Sequence, residues 1–380
     1  MKLKKLKAGL LIMAVGAFTV SCEKEYEEEI TPNSQDQYLQ VDLPQLNADR
    51  QKSNLPEINE NLKDYILGKN AVEPSECAPT EFAAVQDVYL NPLINDLYSL
   101  FGQAQYANIF YLYMDLNFYS AYFDTSTDQY FGENGNYTQL VTKRQRELEK
   151  FWDMPNEVRI NGQHTATLND REKLADVYEI VGTGITTREQ AYAAADQILY
   201  FNTFSDQLPD NPFFAIDGFA TSANLIVIGD GIVQMLAEAG VEEEIVWTGI
   251  LAHEWAHQVQ FNNYGEWYPN GAADNAPEAT RYTELEADFF AAYYMTHKRG
   301  ATYNWKRVEQ FFELFFQIGD CGFANAGHHG TPAQRMEAAR LGYELANGTQ
   351  KQGHILTEQE LHDIFVEQIQ EVIPAPGTAK

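Results

Sequence analysis

The sequence predicts an α+β fold that is mainly helical and contains a small sheet. Apolar residues recur at helical spacing in several long stretches, whereas only two short runs have the length and flanking residues typical of strands. Hydrophobic residues make up 44% and aromatic residues 13% of the 380 positions, enough to fill a sizeable core. We therefore expect a single domain over 77–380 that follows an N-terminal extension.

The chain is strongly acidic, with 55 Asp and Glu residues against 26 Lys and Arg residues and a formal net charge of −29. Such a surface repels phosphate backbones and anionic membrane faces. The sequence therefore argues against a nucleic-acid partner and against membrane contact other than through a lipid anchor. Its three cysteines are too few for a disulfide-dense scaffold.

Residues 1–21 have the features of a bacterial signal peptide. Four lysines precede an apolar stretch over 8–20 that is too short to span a bilayer. The stretch ends at Ser21-Cys22, which resembles the lipobox of bacterial lipoproteins. This resemblance implies that Cys22 is lipidated and becomes the first residue of the mature protein. An ordinary secretory leader with an incidental cysteine is the alternative.

Residues 22–76 are polar and are predicted to form a flexible tether. The Glu-rich run at 23–29 is typical of a solvated spacer, and it also resembles the acidic export signal of surface lipoproteins in the Bacteroidota. That resemblance implies a lipid-anchored protein of the outer membrane, displayed on the cell surface. With Cys22 lipidated, Cys77 and Cys321 remain as a candidate disulfide, and two buried free thiols are the alternative.

The first part of the domain, residues 77–215, is predicted to be helical. We expect a helix over 91–123, because its apolar residues fall three and four apart along one stripe. That stripe consists of Ile109, Leu112, Leu116, Tyr119 and Phe123. We interpret it as core, and the alternative is an aromatic platform for sugar rings.

Later in this part, the sequence predicts one strand and two helix starts. Residues 158–160 are expected to form a short strand that ends in a turn at Asn161-Gly162. Helices are expected to begin at Asn169 and Thr186, each with a glutamate three residues later, as in a capping box.

The second part, residues 216–348, begins with a predicted strand over 225–228. This run is short, apolar and followed by glycine, which favours a strand over a buried helical turn. Helices are predicted over 241–261, 278–297 and 331–348. A last part, 349–380, contains one more helix that opens with a capping box at 357–360.

The strongest chemical signal is the pentapeptide His253-Glu254-Trp255-Ala256-His257, an HExxH pattern inside a predicted helix. His253 and His257 are four residues apart and lie on one helix face, so both imidazoles can reach a single zinc ion. Glu254 points about 100° away around the helix, and from there its carboxylate can reach a water on the zinc. An exposed polar face on an amphipathic helix is the alternative.

A catalytic zinc ion usually takes three protein ligands and keeps one position open. On the next predicted helix, Glu284 and Asp288 are again four residues apart and share a face. We predict Glu284 as the third ligand and Asp288 as the acceptor for the N–H of a ligand imidazole. A solvated acidic helix face is the alternative.

These residues carry a family resemblance. The HExxH at 253–257, followed on a later helix by ExxAD at 284–288, resembles the gluzincin metallopeptidases. The segments 223–230 and 329–335 make the chain most similar to the bacterial neutral zinc metallopeptidases among them. Together the matching segments lie within 217–345.

The resemblance implies a zincin-like core over 216–348. In such a core the strand at 225–228 borders the cleft above the active-site helix. An extended peptide is then expected to add to the edge of this strand through main-chain hydrogen bonds.

The resemblance also implies the reaction, which is hydrolysis of peptide bonds by a water activated on one zinc ion per chain, with Glu254 as general base. A donor to the developing oxyanion is needed as well. His329 aligns with the family motif and precedes a helix N-terminus, so it is the first candidate, although an exposed loop would also explain it. Tyr282 and Tyr293 are the other candidates.

The sequence thus predicts a lipid-anchored zinc peptidase that acts on peptide or protein substrates. Two other classes of protein are compatible with it. One is a non-catalytic surface lipoprotein in which zinc is a structural clip and which binds peptide or glycan. The other is a structural lipoprotein with an accidental motif.

Overall fold

The computed structural model describes residues 81–268, 276–316, 332–349 and 353–372. Within these ranges the chain forms eleven α-helices and three strands, so the predicted mainly helical α+β class is confirmed. The helices are α1 (Glu81–Phe101), α2 (Tyr106–Phe123), α3 (Thr138–Phe151), α4 (Arg171–Val181), α5 (Arg188–Phe201), α6 (Asp230–Glu238), α7 (Glu243–Trp267), α8 (Ala276–Thr296), α9 (Trp305–Phe316), α10 (Pro332–Thr349) and α11 (Glu358–Val372). The strands are β1 (Arg159–Gln163), β2 (Gly218–Thr221) and β3 (Leu225–Gly229).

The sheet has the order β1-β3-β2, with β1 parallel and β2 antiparallel to the central strand. All five residues of β3 are buried. The expectation that a peptide adds to the edge of 225–228 is therefore wrong, because both edges of this strand are already paired. A strand with no polar face is stable in the middle of a sheet, and this explains its position. Since β1 lies within 77–215 and β3 within 216–348, the sheet joins the two predicted parts.

The predicted turn at Asn161-Gly162 is also wrong, because both residues lie inside β1 and pair with Val227 and Ile228. The Asn161 amide instead donates to the carbonyl oxygens of two residues at the end of α2, at 2.7 and 2.8 Å. A Cβ on Gly162 would lie 2.5 Å from the carbonyl oxygen of Tyr130. The pair therefore serves tertiary packing, which a local turn signal does not report.

The single helix predicted over 91–123 is divided into α1 and α2. Gly102 separates them with a φ of +74°, and its N–H donates to the carbonyl oxygen of Tyr98 at 2.9 Å. A left-handed glycine of this kind ends many helices. In α2 the core interpretation is confirmed, since the stripe contains buried Ile109, Leu116 and Phe123 and partly buried Leu112 and Tyr119. None of the helices described has the length and apolar character needed to cross a bilayer.

The two helix starts predicted at Asn169 and Thr186 each lie one residue too early. Asp170 caps α4 in place of Asn169, and Thr187 caps α5 in place of Thr186. In both cases the side-chain oxygen one position later reaches the free N–H groups of the first turn. The capping box predicted at 357–360 is confirmed at the start of α11.

Helices α10 and α8 pack closely against each other at their middles. Gly342 of α10 permits this approach, since a Cβ there would lie 2.1 Å from the carbonyl oxygen of Phe289 in α8. Gly249 of α7 faces the ring of Phe311 in α9, with which a Cβ would collide at 2.6 Å. Small residues at both contacts therefore allow α7, α8, α9 and α10 to form one tightly packed group.

Candidate metal centre

The HExxH residues lie in the middle of α7, and Glu284 and Asp288 lie on the facing side of α8. His253, His257 and Glu284 are buried, with exposed fractions of 3%, 1% and 3%. Asp288 is fully buried. The alternatives of an exposed polar face on α7 and a solvated acidic face on α8 are therefore wrong. Each helix contributes residues four apart, so both pairs face the same interior point.

Three side chains converge with the separation of metal ligands. The two Nε2 atoms of His253 and His257 are 3.2 Å apart, and each lies 3.3 Å from a carboxylate oxygen of Glu284. Atoms bound to zinc at 2.0–2.1 Å in a tetrahedron would be separated by about 3.3 Å. These three residues form the one group in the described ranges that could hold a metal ion. The two 3.3 Å distances end on different oxygens of Glu284, so each imidazole has a carboxylate oxygen at about this separation, and the three side chains can share one metal ion.

His253 is held by a charged partner. Its Nδ1 lies 3.1 Å from Asp288 Oδ1, so its Nε2 faces the other ligand atoms. Burial acts to lower the pKa of His253, but the carboxylates of Asp288 and Glu284 outweigh it and raise the pKa to about 9. Without a metal ion, a proton on this imidazole supplies the positive charge that the buried carboxylates require.

His257 is held by a neutral partner, the side-chain amide of Gln260. Gln260 donates through Nε2 to the carbonyl oxygen of Thr283 at 2.7 Å and to Glu286 Oε2 at 3.0 Å. The opposite end of the amide, Oε1, lies 2.8 Å from His257 Nδ1. An amide oxygen can only accept, so Nδ1 carries the proton and Nε2 is left with a lone pair for the metal ion.

Behind Gln260 lies a fully buried carboxylate, that of Glu286. It accepts from Gln260, from the hydroxyl of Tyr268, and from His362 Nδ1 of α11 at 2.6 Å. Burial raises the pKa of Glu286, and the hydrogen bonds from His362 and Gln260 oppose this rise. The donors of this network lie on α7, at Tyr268 directly after the end of α7, and on α11.

Arg335, in the first turn of α10, is the one basic side chain seen in contact with the ligand group in the described ranges. It is 3% exposed and donates to both oxygens of Asp288, at 2.6 and 2.7 Å. Its Nη2 also lies 3.4 Å from Glu284 Oε2. The guanidinium thus balances two buried carboxylates and holds α10 against α8.

The structure brings together His253, His257, Glu284 and Asp288, as the sequence predicts, and places Glu254 beside them on α7 with 5% exposure. The candidate oxyanion donors Tyr293 and Tyr282 are seen in contact with other parts of the fold. The hydroxyl of Tyr293 accepts from the backbone of Leu356, and the ring of Tyr282 packs on Phe365, so neither contact involves a ligand. Outside the described residues lie His329, Cys22, Cys77 and Cys321.

Sequence reasoning missed Gln260, Glu286, Arg335 and His362. Two of them carried a usable signal. Gln260 follows His257 by three residues on the same helix, which is contact spacing, and Arg335 closes the 329–335 segment that carries the family resemblance. His362 carried none, because its contact with α8 depends on tertiary packing across 76 positions.

Comparison of the chain with family models, with curated proteins and with solved structures finds no match.

Proposed function

We propose that this protein is a zinc-dependent peptidase that uses Glu254 as general base. The observation that carries the proposal is the buried convergence of His253, His257 and Glu284 at the spacing of a zinc coordination sphere, with Glu254 adjacent on the same helix. Two nitrogen ligands, one oxygen ligand and an open fourth position are the donor set of catalytic zinc sites in hydrolases.

A zinc ion bound there supplies Lewis acidity, which polarises a carbonyl and makes a coordinated water acidic near neutral pH. The residues of the chain supply the rest. Glu254 accepts the proton of the attacking water at its carboxylate and passes it to the leaving amine. Asp288 and Gln260 keep the two imidazoles in orientation, and Arg335 keeps the carboxylates of Asp288 and Glu284 in place.

The proposed arrangement is a zincin-like core in which the substrate peptide pairs with β2 instead of β3. β2 forms one edge of the sheet in the described residues. Gln258, on the active-site helix, donates to the carbonyl oxygens of Thr221 and Leu225 at 3.1 and 3.2 Å and so ties β2 and β3 to α7. A peptide added at this edge would be read by main-chain hydrogen bonds, which suits peptide or protein substrates.

Three further parts of the proposal rest on sequence alone. Residues 1–21 and Cys22 support a lipid-anchored location at the outer membrane, on the cell surface. His329 stays the candidate donor to the oxyanion, and Cys77 with Cys321 stays the candidate disulfide. Radiolabelled palmitate incorporated into the wild-type protein but not into a Cys22→Ala variant would support the anchor.

The direct test is cleavage of a diverse peptide mixture by zinc-loaded protein, read by mass spectrometry. We expect Glu254→Gln to retain zinc and to lose hydrolysis by at least roughly 100-fold, because the general base is removed and the ligands are kept. Glu266→Gln is the matched control, an exposed glutamate near the end of the same helix, and should cleave like the wild type.

Cuts that persist unchanged in Glu254→Gln would contradict the assignment of the base. Zinc bound in a folded wild-type protein that makes no cut would instead favour the non-catalytic alternative, a surface lipoprotein that binds peptide or glycan.

A further inference from the structure

We propose that helix α11, the last helix in the described residues, helps to position a ligand of the metal centre. Through His362, Glu286 and Gln260 it holds the imidazole of His257 in the tautomer whose Nε2 is free to bind zinc. Gln260, Glu286 and His362 are therefore positioning residues. The inference rests on the proposed metal site but not on the identity of the reaction.

The first link is the dependence of His257 on Gln260. The Nδ1 of a ligand imidazole must carry its proton for Nε2 to be free, and an acceptor at Nδ1 selects this tautomer. Gln260 Oε1 is that acceptor at 2.8 Å. If the amide rotated by 180°, its NH₂ group would face His257 Nδ1 and would select the wrong tautomer.

The second link is the dependence of Gln260 on Glu286. Both N–H groups of the amide are used, one on the Thr283 carbonyl oxygen and one on Glu286 Oε2. Rotation of the amide would place its oxygen against these two acceptors, which is unfavourable in a buried site. The orientation of Gln260 therefore holds as long as Glu286 stays in place.

The third link is the dependence of Glu286 on α11. Its carboxylate is fully buried, and His362 is the one donor to its Oε1 oxygen seen in the described residues. The ring of His362 is fixed in turn, because it stacks on Trp267 with centroids 4.3 Å apart and planes 6° apart. Removal of His362 would leave Oε1 short of a donor, and to recover one the carboxylate would have to turn Oε2 away from Gln260 and from the Tyr268 hydroxyl that also donates to it.

Helices α7 and α11 also touch at a point outside the contacts that run from His362 to His257. A variant at that point provides a matched control. In the described residues, the Asn263 amide of α7 donates to Glu358 of α11 at 3.0 Å and to the carbonyl oxygen of Val259, not to Gln260 or Glu286. Asn263→Ala therefore weakens the docking of α11 and leaves the chain of contacts to His257 intact. Gln260→Leu and His362→Phe break that chain of contacts, and the phenyl ring can keep the stacking on Trp267.

The experiment measures two quantities in the whole protein. One is the dissociation constant for zinc, by competition with a chromophoric chelator. The other is the tautomer of His257, from ¹⁵N shifts of the imidazole in the metal-free protein. We expect Gln260→Leu to bind zinc about 10- to 100-fold more weakly and to populate both tautomers of His257. We expect His362→Phe to shift both quantities in the same direction and Asn263→Ala to leave both at wild-type values.

Unchanged zinc affinity and an unchanged His257 tautomer in Gln260→Leu would overturn the inference. An equal loss in Asn263→Ala and His362→Phe would also overturn it, because general docking of α11 would then explain the effect. If Gln260→Leu fails to fold, His362→Phe decides alone by the same two readouts.

The outcome is separable from that of the proposed function. A wild-type protein that cleaves no peptide leaves the zinc measurement valid. A wild-type protein that binds no zinc refutes the proposed metal site, while the tautomer in the metal-free protein still decides whether Gln260 orients His257.

Discussion

The two imidazoles of the metal centre are held in different ways. His253 faces a carboxylate that is itself held by Arg335 of α10, whereas His257 faces a neutral amide that is connected to α11. On the charged side of the site, formed by Asp288 and Arg335, the carboxylate makes His253 more basic, so metal binding depends on pH. The neutral side sets orientation and tautomer without adding charge next to the metal ion.

The largest effect is expected on the charged side. Arg335→Met leaves the buried carboxylates of Asp288 and Glu284 without their guanidinium, and loss of one partner from a buried ion pair costs roughly 3–5 kcal/mol. Urea unfolding of the metal-free protein measures this loss, and added zinc should restore part of it. On the same helix, Arg340→Met is the control, because its pairs with Glu337 and Glu344 are exposed and worth at most about 1 kcal/mol. Equal losses in both variants would mean that the Arg335 contacts contribute no special stability.

The next effect is expected for Asp288→Asn, which keeps shape but removes the charge opposite His253 Nδ1. We expect zinc to bind about 10- to 100-fold more weakly, as for other second partners of metal-bound histidines. The pKa of His253 should also fall from about 9 towards its ordinary value, because one of the two carboxylates that raise it is gone. Histidine ¹⁵N shifts followed against pH measure this change. An unaltered pKa in the variant would show that Asp288 does not act on His253.

A smaller and graded effect is expected from pH itself. A pKa of about 9, raised from the ordinary 6.5, lies above pH 7, so we expect His253 to be protonated at pH 7 in the metal-free protein. Zinc must displace this proton, so its apparent affinity should rise by up to about tenfold per pH unit from pH 7 and level off above about 9. Stability of the metal-free protein should show the opposite trend. The contribution of the charged His253 imidazole to this stability is complete below pH 6.5 and is lost as pH rises through about 9.

Isothermal titration of zinc at several pH values, in buffers of different ionisation enthalpy, counts the released protons. A zinc affinity that stays flat from pH 7 to 9 would contradict the charged character of the His253 side.

The ligand set could be predicted because its spacing follows helix geometry. His253 with His257, and Glu284 with Asp288, are pairs four residues apart on helices whose periodicity is visible in the sequence. Their burial was not predictable from spacing alone, since a solvated face has the same pattern. The second partners were harder still. The role of His362 depends on how α11 lies against α8, and no local pattern encodes that contact.

The errors in the fold have the same origin. Asn161-Gly162 is a strong local turn signal, yet β1 continues through it because Val227 and Ile228 supply a parallel partner strand. The apolar run at 225–228 identified a strand correctly, but its lack of a polar face indicated a central strand, not a free edge. Local patterns thus predicted the elements, and the partners of each element decided their use.

The most direct test of the central claim is X-ray absorption at the zinc edge on protein loaded with one equivalent of zinc. The account predicts only nitrogen and oxygen ligands at about 2.0–2.2 Å, two of them imidazoles, as His253, His257 and Glu284 require. A sulfur ligand at about 2.3 Å would place the ion on a cysteine and contradict the account.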